Sequence, residues 1–350
     1  MRIVYGCNSQ GQGHLGKAAV LVPLLEARGH EVRVISSGPT PPPAYRFTWH
    51  QHVAGLVYAI ENGHADVGRT LRHWLQSSPA LLHSLRTLHR LVADFQPDLI
   101  ISDFEPLTAS PLLDPPCEVV SVCRQVALLD PAVPTPAPTS THAHLVRTMI
   151  RLFTLGADRK HGYHYAPTSH RCVPPIIRPE LFSLRPTAGD HILIYNHHFA
   201  DGGEAERLIA WASDRRVPVR AYGFEEMPRG QAGYVRFQPT SRQQMLLDMA
   251  SSRGVMTTAG LTTPAEGFLL GKPVCVVPLP DQWEQTANAI HLEDAGMAAA
   301  CQGWDYDRLL QLSPPAGDHP SHRWLTTDAE TVLDVILNQT RREETLRTAA

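Results

Sequence analysis

Thr257–Ala298, TTAGLTTPAEGFLLGKPVCVVPLPDQWEQTANAIHLEDAGMA, compresses the architecture of this chain into some forty residues. The apolar run GVMTT that leads into it predicts a strand ending at Thr258, and Gly260 marks the turn behind it. TPAEGFLLG then reads as a short helix, PVCVVPL as a buried strand and EQTANAIHLEDAG as a second helix. Strands separated by helices rather than by tight turns must run parallel, because only a crossover long enough to hold a helix returns the chain to the same end of the sheet.

The same alternation extends in both directions. Upstream lie HILIYN, EAERLIAWASDR, VPVRAYG, YVRFQP and SRQQMLLDMASS; near the start lie RIVYG, a helix over 15–28 and EVRVIS. A Pro-rich stretch without periodicity interrupts the two series. The expectation is therefore an α/β protein of two Rossmann-like, doubly wound lobes facing across a cleft, with a ligand site between them. Residues 1–170 form an N-terminal lobe, 171–189 a linker, 190–327 a C-terminal lobe, and 328–350 a terminal helix that packs back on the first lobe. A length of 350 residues supports two cores.

A formal charge of -3 with 19% charged residues gives no pull toward nucleic acid. The six cysteines are scattered through apolar runs without a C-x-x-C pair, which suits a reducing, cytoplasmic setting. No apolar run reaches membrane-spanning length, and no long basic amphipathic helix stands out, so membrane contact is at most peripheral. Oligomeric state is not legible.

GQGHLG, Gly11 to Gly16, matches the dinucleotide fingerprint G-x-G-x-x-G letter by letter. Its context does not match. Five residues separate RIVY from Gly11, and the second strand ends in Ser36-Ser37-Gly38 with no carboxylate for a ribose. Gly11 and Gly13 instead shape a tight loop that presents His14 from a helix start, where a neutral imidazole suits proton abstraction; the plainer reading is that His14 caps the helix.

On the motif G-x-x-[ST]-x-x-E, G-x-P, P, [DEQ]-Q-x-x-N-A, met here by Gly260, Thr263, Glu266, Gly271, Pro273, Pro278, Glu284, Gln285, Asn288 and Ala289, the chain resembles nucleotide-sugar glycosyltransferases of the GT-B fold. SDFEP (102–106) and PPIIRPEL further resemble a prokaryotic branch related to UDP-glycosyltransferases and to the lipid-II-forming N-acetylglucosaminyltransferase. The resemblance implies a hexose transfer from a UDP-sugar to a hydroxyl of a small-molecule or glycolipid acceptor, with inversion. Gly260 and the amides of Leu261, Thr262 and Thr263 would receive the diphosphate at a helix N-terminus. Glu266 would take the ribose hydroxyls, Phe237 and Gln238 would frame the base, and Glu284 and Gln285 would hold the sugar. Thr258 stands where many plant and animal relatives have histidine, which shifts more of the phosphate charge onto the helix amides.

By the same resemblance Asp103 orients His14 as the catalytic base, and Glu105 is the alternative partner or base. His197, with His198, would touch phosphate or acceptor. Each residue has a plainer reading too: Thr262 and Thr263 as helix caps before Pro264, DFEP as an ordinary acidic turn. No cofactor or metal is expected. His161, His164, His170 and Cys172 are loosely spaced for zinc, and Asp305-x-Asp307 reads as a helix start rather than a manganese pair. The competing functions are a nucleotide-sugar epimerase of the same fold and a non-catalytic nucleotide-sugar-binding protein; the first would need several carboxylates, the second no base. Trp49, His50, His52, Arg69, Arg72, His73 and Trp74 are the acceptor-side candidates.

Overall fold

The chain begins with β1 (Arg2–Asn8), whose side chains from Ile3 onward are buried, as a central parallel strand covered on both faces requires. It continues through α1 (Gln12–Ala27), β2 (Glu31–Ser37), β3 (His50–Val53), the short β4 (Ala59–Glu61) and β5 (His64–Asp66), α2 (Val67–Gln76), α3 (Ser78–Phe95) and β6 (Leu99–Asp103). Then come β7 (Glu118–Cys123), α4 (Arg124–Ala127), α5 (Thr141–Phe153), β8 (Arg159–Tyr163) and β9 (Cys172–Val173). The computed structural model describes residues 1–337 apart from 11, 40, 43–45, 58, 62–63, 138–140, 197–201, 225–226, 228 and 240.

Seven strands form a parallel sheet in the order β3-β2-β1-β6-β7-β8-β9. Its core packs Ile35, Ile100 and Val119 against Leu88, Val92 and Phe95 of α3. The register sets Cys7 of β1 beside Asp103 of β6, so both stand at the C-terminal ends of central strands. Gly6 lies under the turn that follows β6: a Cβ there would run into the Thr108 side chain, so glycine lets that turn sit directly on the sheet.

The second series runs β10 (Ile192–Tyr195), α6 (Gly202–Arg215), β11 (Val219–Tyr222), β12 (Gly230–Ala232), β13 (Val235–Phe237), α7 (Arg242–Ala250) and β14 (Val255–Thr258). It ends with α8 (Thr262–Leu269), β15 (Val274–Val277), α9 (Trp283–Asp294), β16 (Ala299–Ala300), α10 (Tyr306–Gln311) and α11 (Pro320–Leu325), after which the chain enters α12 (Ala329–Ile336). Its sheet, β12-β13-β11-β10-β14-β15-β16, is parallel except for β12 at the edge. The protein is thus α/β, with two Rossmann-like sheets each flanked by helices.

Two units divide the chain: Met1–Ala59, Asp66–Ile176 and Thr327–Ala350 form one, Ile60–Ala65 and Ile177–Thr326 the other. The stretch 171–189 is less irregular than its prolines suggest. Cys172–Val173 closes the edge of the first sheet, and Pro179–Ser183 forms a single 3-10 turn. Within the first unit α12 contacts α1, where Arg28 donates to Asp334 at 2.8 Å and pairs with Glu330 at 3.3 Å. Arg159 donates to the carbonyls of Val335 and Ile336, so a guanidinium satisfies the end of α12 where the helix dipole is negative. The terminal helix reaches Ile336; residues 338–350 lie outside the described residues.

Candidate functional site

In the first unit α1 starts at Gln12, earlier than the apolar periodicity indicates, so Gly13 and His14 occupy its first turn. Among the described residues outside its own helix backbone, nothing lies within 4 Å of where a Gly13 Cβ would stand. His14 reaches across to the end of β6 and its Nδ1 lies 2.7 Å from Asp103 Oδ1. The carboxylate is a pure acceptor, so Nδ1 is the donor in this pair, and in the neutral imidazole Nε2 then keeps its lone pair. The His14 side chain keeps 14% exposure while Asp103 has none, which is the division a base and its orienting acid need.

Two further residues complete this corner, and the motifs did not point to them. Lys17, one turn after His14, donates to the same Asp103 oxygen at 3.0 Å and lies 4.7 Å from the Tyr163 ring centroid. Phe104 stacks on the His14 ring at 5.9 Å and packs against Phe153 at 5.2 Å. It does so with φ +55°, a left-handed conformation that costs a bulky residue about 1 kcal/mol or more. The signal available in advance was the i, i+3 spacing of His14 and Lys17, which puts both on one helix face.

Below them the surroundings stay uncharged. Burial, and after it the Asp103 charge, raises Tyr5 and Tyr163 well above the ordinary phenol range; the same two causes push Cys123 up to about 12. Asp103 Oδ2 is buried and accepts no hydrogen bond among the described residues.

Glu105 has another task. Its Oε1 accepts from Ser37 Oγ at 2.8 Å and from the Leu107 amide at 3.1 Å, and its Oε2 accepts from the Thr108 amide at 2.6 Å. A carboxylate so saturated ties the turn to β2, and of the two acids only Asp103 meets His14. Four of the acceptor-side candidates are also committed locally, whereas Arg72 is exposed. Trp74 donates to the Val57 carbonyl, Trp49 lies against the Arg33 guanidinium, and His50 and His52 both meet Ser36 Oγ, at 2.8 and 2.9 Å.

In the second unit β14 ends at Thr258 and α8 opens at Thr262, leaving the turn Ala259–Leu261 between strand and helix. Asn288 of α9 donates to the Ala259 carbonyl at 2.9 Å and so braces that turn. Among the described residues, its chain neighbours aside, no atom lies within 4 Å of where a Gly260 Cβ would stand, and Leu261, Thr262 and Thr263 are all partly exposed. A partly exposed helix N-terminus behind a glycine is a place where backbone amides can receive an anion. Gln285 Oε1 accepts from the Leu279 amide at 3.0 Å, folding its side chain onto the loop before α9; Glu284 lies in the first turn of α9, partly exposed.

One donor-side expectation needs correction. Phe237 is 3% exposed, sits in the core and meets Phe224 edge-on at 5.3 Å, so it is a packing residue rather than an open face for a base. Gln238, partly exposed, follows it and its amide donates to Ala221. Glu266 is buried and held by Arg178, which reaches Oε1 at 2.6 Å through Nε and Oε2 through a second nitrogen, and donates to the Arg242 carbonyl at 3.1 Å. This two-pronged pair was hidden because Arg178 lies 88 positions upstream, in PPIIRPEL.

Gly11, His197 and His198 lie outside the described residues. Asp305 caps α10 by accepting from the Arg308 amide, and Asp307 pairs with Arg215. His164 meets Arg124 at 2.9 Å. No group of three or more His, Cys, Asp or Glu side chains suited to a metal ion occurs among the described residues.

A family model described as glycosyl transferase family 1 matches residues 1–311. No curated protein matches the sequence. Solved structures share the fold along almost the whole chain. SnogD, a glycosyltransferase from Streptomyces nogalater, is 17% identical with a TM-score of 0.54, over 100% of this chain and 98% of that one. The spinosyn rhamnosyltransferase SpnG, solved with thymidine diphosphate, is 15% identical (TM-score 0.54; 100% and 95% covered). UGT2 of Phytolacca americana, solved with UDP-2-fluoro-glucose and pterostilbene, is 15% identical (TM-score 0.58; 99% and 92% covered).

Proposed function

The chain belongs to glycosyl transferase family 1, and from that premise we propose an inverting transferase that moves a hexose from a UDP-sugar to a hydroxyl of a small-molecule or glycolipid acceptor. The observation that carries the reading is the His14–Asp103 pair, 2.7 Å long, set at a helix start with the imidazole reachable and the acid buried.

In this reading the acceptor hydroxyl gives its proton to His14 Nε2 while its oxygen attacks the anomeric carbon. The bond from that carbon to the phosphate oxygen breaks on the opposite face, which inverts the centre, and the diphosphate departs with the electron pair. Asp103 steadies the imidazolium as it forms. The amides of Leu261 to Thr263 and the hydroxyls of Thr262 and Thr263 receive the growing negative charge; no metal or cofactor is called on. Glu266 keeps one lone pair on each oxygen beyond those that Arg178 uses, enough for the two ribose hydroxyls. Gln238 would meet the base, and Glu284 and Gln285 the sugar. A nucleotide-sugar epimerase is the weaker reading, because the described acids of this corner are Asp103, which orients a histidine, and Glu105, which ties a turn.

A thermal-shift series with UDP, TDP and GDP, followed by turnover with the corresponding glucose donors, tests the proposal. The expected result is a UDP-dependent rise in Tm that His14→Ala retains while turnover falls by about a hundredfold or more. Unchanged turnover in His14→Ala would remove the base, and a shift by TDP alone would reassign the donor.

A further inference from the structure

From Val67 to Ala93 the chain carries four arginines and no aspartate or glutamate. α2 and α3 follow one helical path through this stretch. Ser77, between them, keeps φ -84° and ψ -1°, accepts from the Leu81 amide at 2.9 Å and donates its own amide to His73 at 2.8 Å. One side of the path is spent on the core through Leu88, Val92 and Phe95. The opposite side holds Leu71, Leu75 and Leu82, exposed at 45%, 77% and 55%.

Positions i, i+4 and i+11 fall within about 40° of one another around a helix, so the three leucines form one outward stripe. Arg72, Arg86 and Arg90 follow at about 60–100° on the side away from the core, all exposed, and none pairs with a carboxylate among the described residues. No long basic amphipathic helix stands out in the sequence because the core face of α3 is itself rich in leucine; only burial separates the inward leucines from the outward ones.

We propose that this face docks on an anionic phospholipid membrane. The charge pattern selects that occupant. A second copy of the chain would set arginines against arginines, and a nucleic-acid backbone would leave three leucines facing phosphates. A bilayer with acidic headgroups meets both needs: phosphates for the arginines and, just below, an apolar layer for the stripe. The proposal does not depend on the donor or on the base.

The test is co-sedimentation of the full chain with vesicles of about one part phosphatidylglycerol to two of phosphatidylcholine, against phosphatidylcholine alone, at low and moderate salt. Binding is expected only to the acidic vesicles and to weaken with salt. Each of Arg72→Gln, Arg86→Gln and Arg90→Gln should lower the partition about fivefold, and Leu75→Ser should lower it as well. Leu112→Ser, which removes a leucine of 70% exposure elsewhere on the first unit, should leave binding unchanged. Circular dichroism and Tm check that each variant is folded. The proposal is overturned by absent binding, by equal binding to neutral vesicles, or by loss of binding in Leu112→Ser alone. Dimerisation abolished by Leu75→Ser would likewise overturn it, by giving the face to a second copy; so would oligonucleotide binding without vesicle binding.

Discussion

Asp103 and Glu266 are both buried carboxylates facing a cation, yet they are built for different work. Asp103 shares one oxygen between His14 and Lys17 and leaves the other without a partner among the described residues. Glu266 has both oxygens gripped by one planar guanidinium. The first arrangement can gain a hydrogen-bonded charge when the imidazole takes up a proton. The second is already neutralised and rigid, as a residue that positions something else should be. A buried acid is therefore not diagnostic by itself; how many of its lone pairs are committed, and to what, decides its use.

The sharpest way to break the comparison is Asp103→Asn, which keeps the shape but cannot offset an imidazolium. Steady-state turnover should fall by about a thousandfold with little change in the UDP-induced Tm shift. Glu266→Gln should do the reverse and act first on stability. It strands the Arg178 guanidinium, and denaturant unfolding should show a loss of about 3 kcal/mol, much of it recovered in the double variant Arg178→Met with Glu266→Leu. If the single and double variants are equally unstable, Arg178 and Glu266 do not act as one structural unit.

Lys17→Met sharpens the Asp103 side. With the ammonium gone Asp103 Oδ1 loses its second anchor and is held by His14 alone; kcat should fall by about tenfold with KM and the UDP-induced Tm shift nearly unchanged, a split that mere loss of packing would not produce. The smallest expected effect on turnover is remote from both acids. Burial, helped by Arg159, His170 and Arg171, lowers His161 to about 4, so the unfolded chain protonates first as pH falls. Its contribution is complete above about pH 6.5 and lost toward pH 4, at most about 3 kcal/mol. His161→Phe should flatten the Tm-against-pH curve over that window.

Much of the fold was legible because its signals are local. Ile192–Tyr195, Val255–Thr258 and Val274–Val277 are short apolar runs, and the helices between them announce themselves by period and by capping residues such as Asp305 and Asp328. His14, Gly260 and the Thr262–Thr263 helix start stand out in the sequence for the same reason: each lies at a strand-to-helix transition. Phe237 was misread because a strand-end phenylalanine looks the same in sequence whether it faces a ligand or Phe224.

The sequence by itself determined which segments are strands and helices, that the strands run parallel, and therefore which loops gather at their C-terminal ends. Tertiary structure alone decided the pairings: Asp103 rather than Glu105 on His14, Lys17 on the same oxygen, Arg178 on Glu266, and which leucines of α2 and α3 face outward. The physical reason is range. Periodicity reports the environment of a few neighbouring residues, whereas a carboxylate's partner is chosen by strand register and helix packing across some ninety positions of chain, as in His14–Asp103 and Arg178–Glu266.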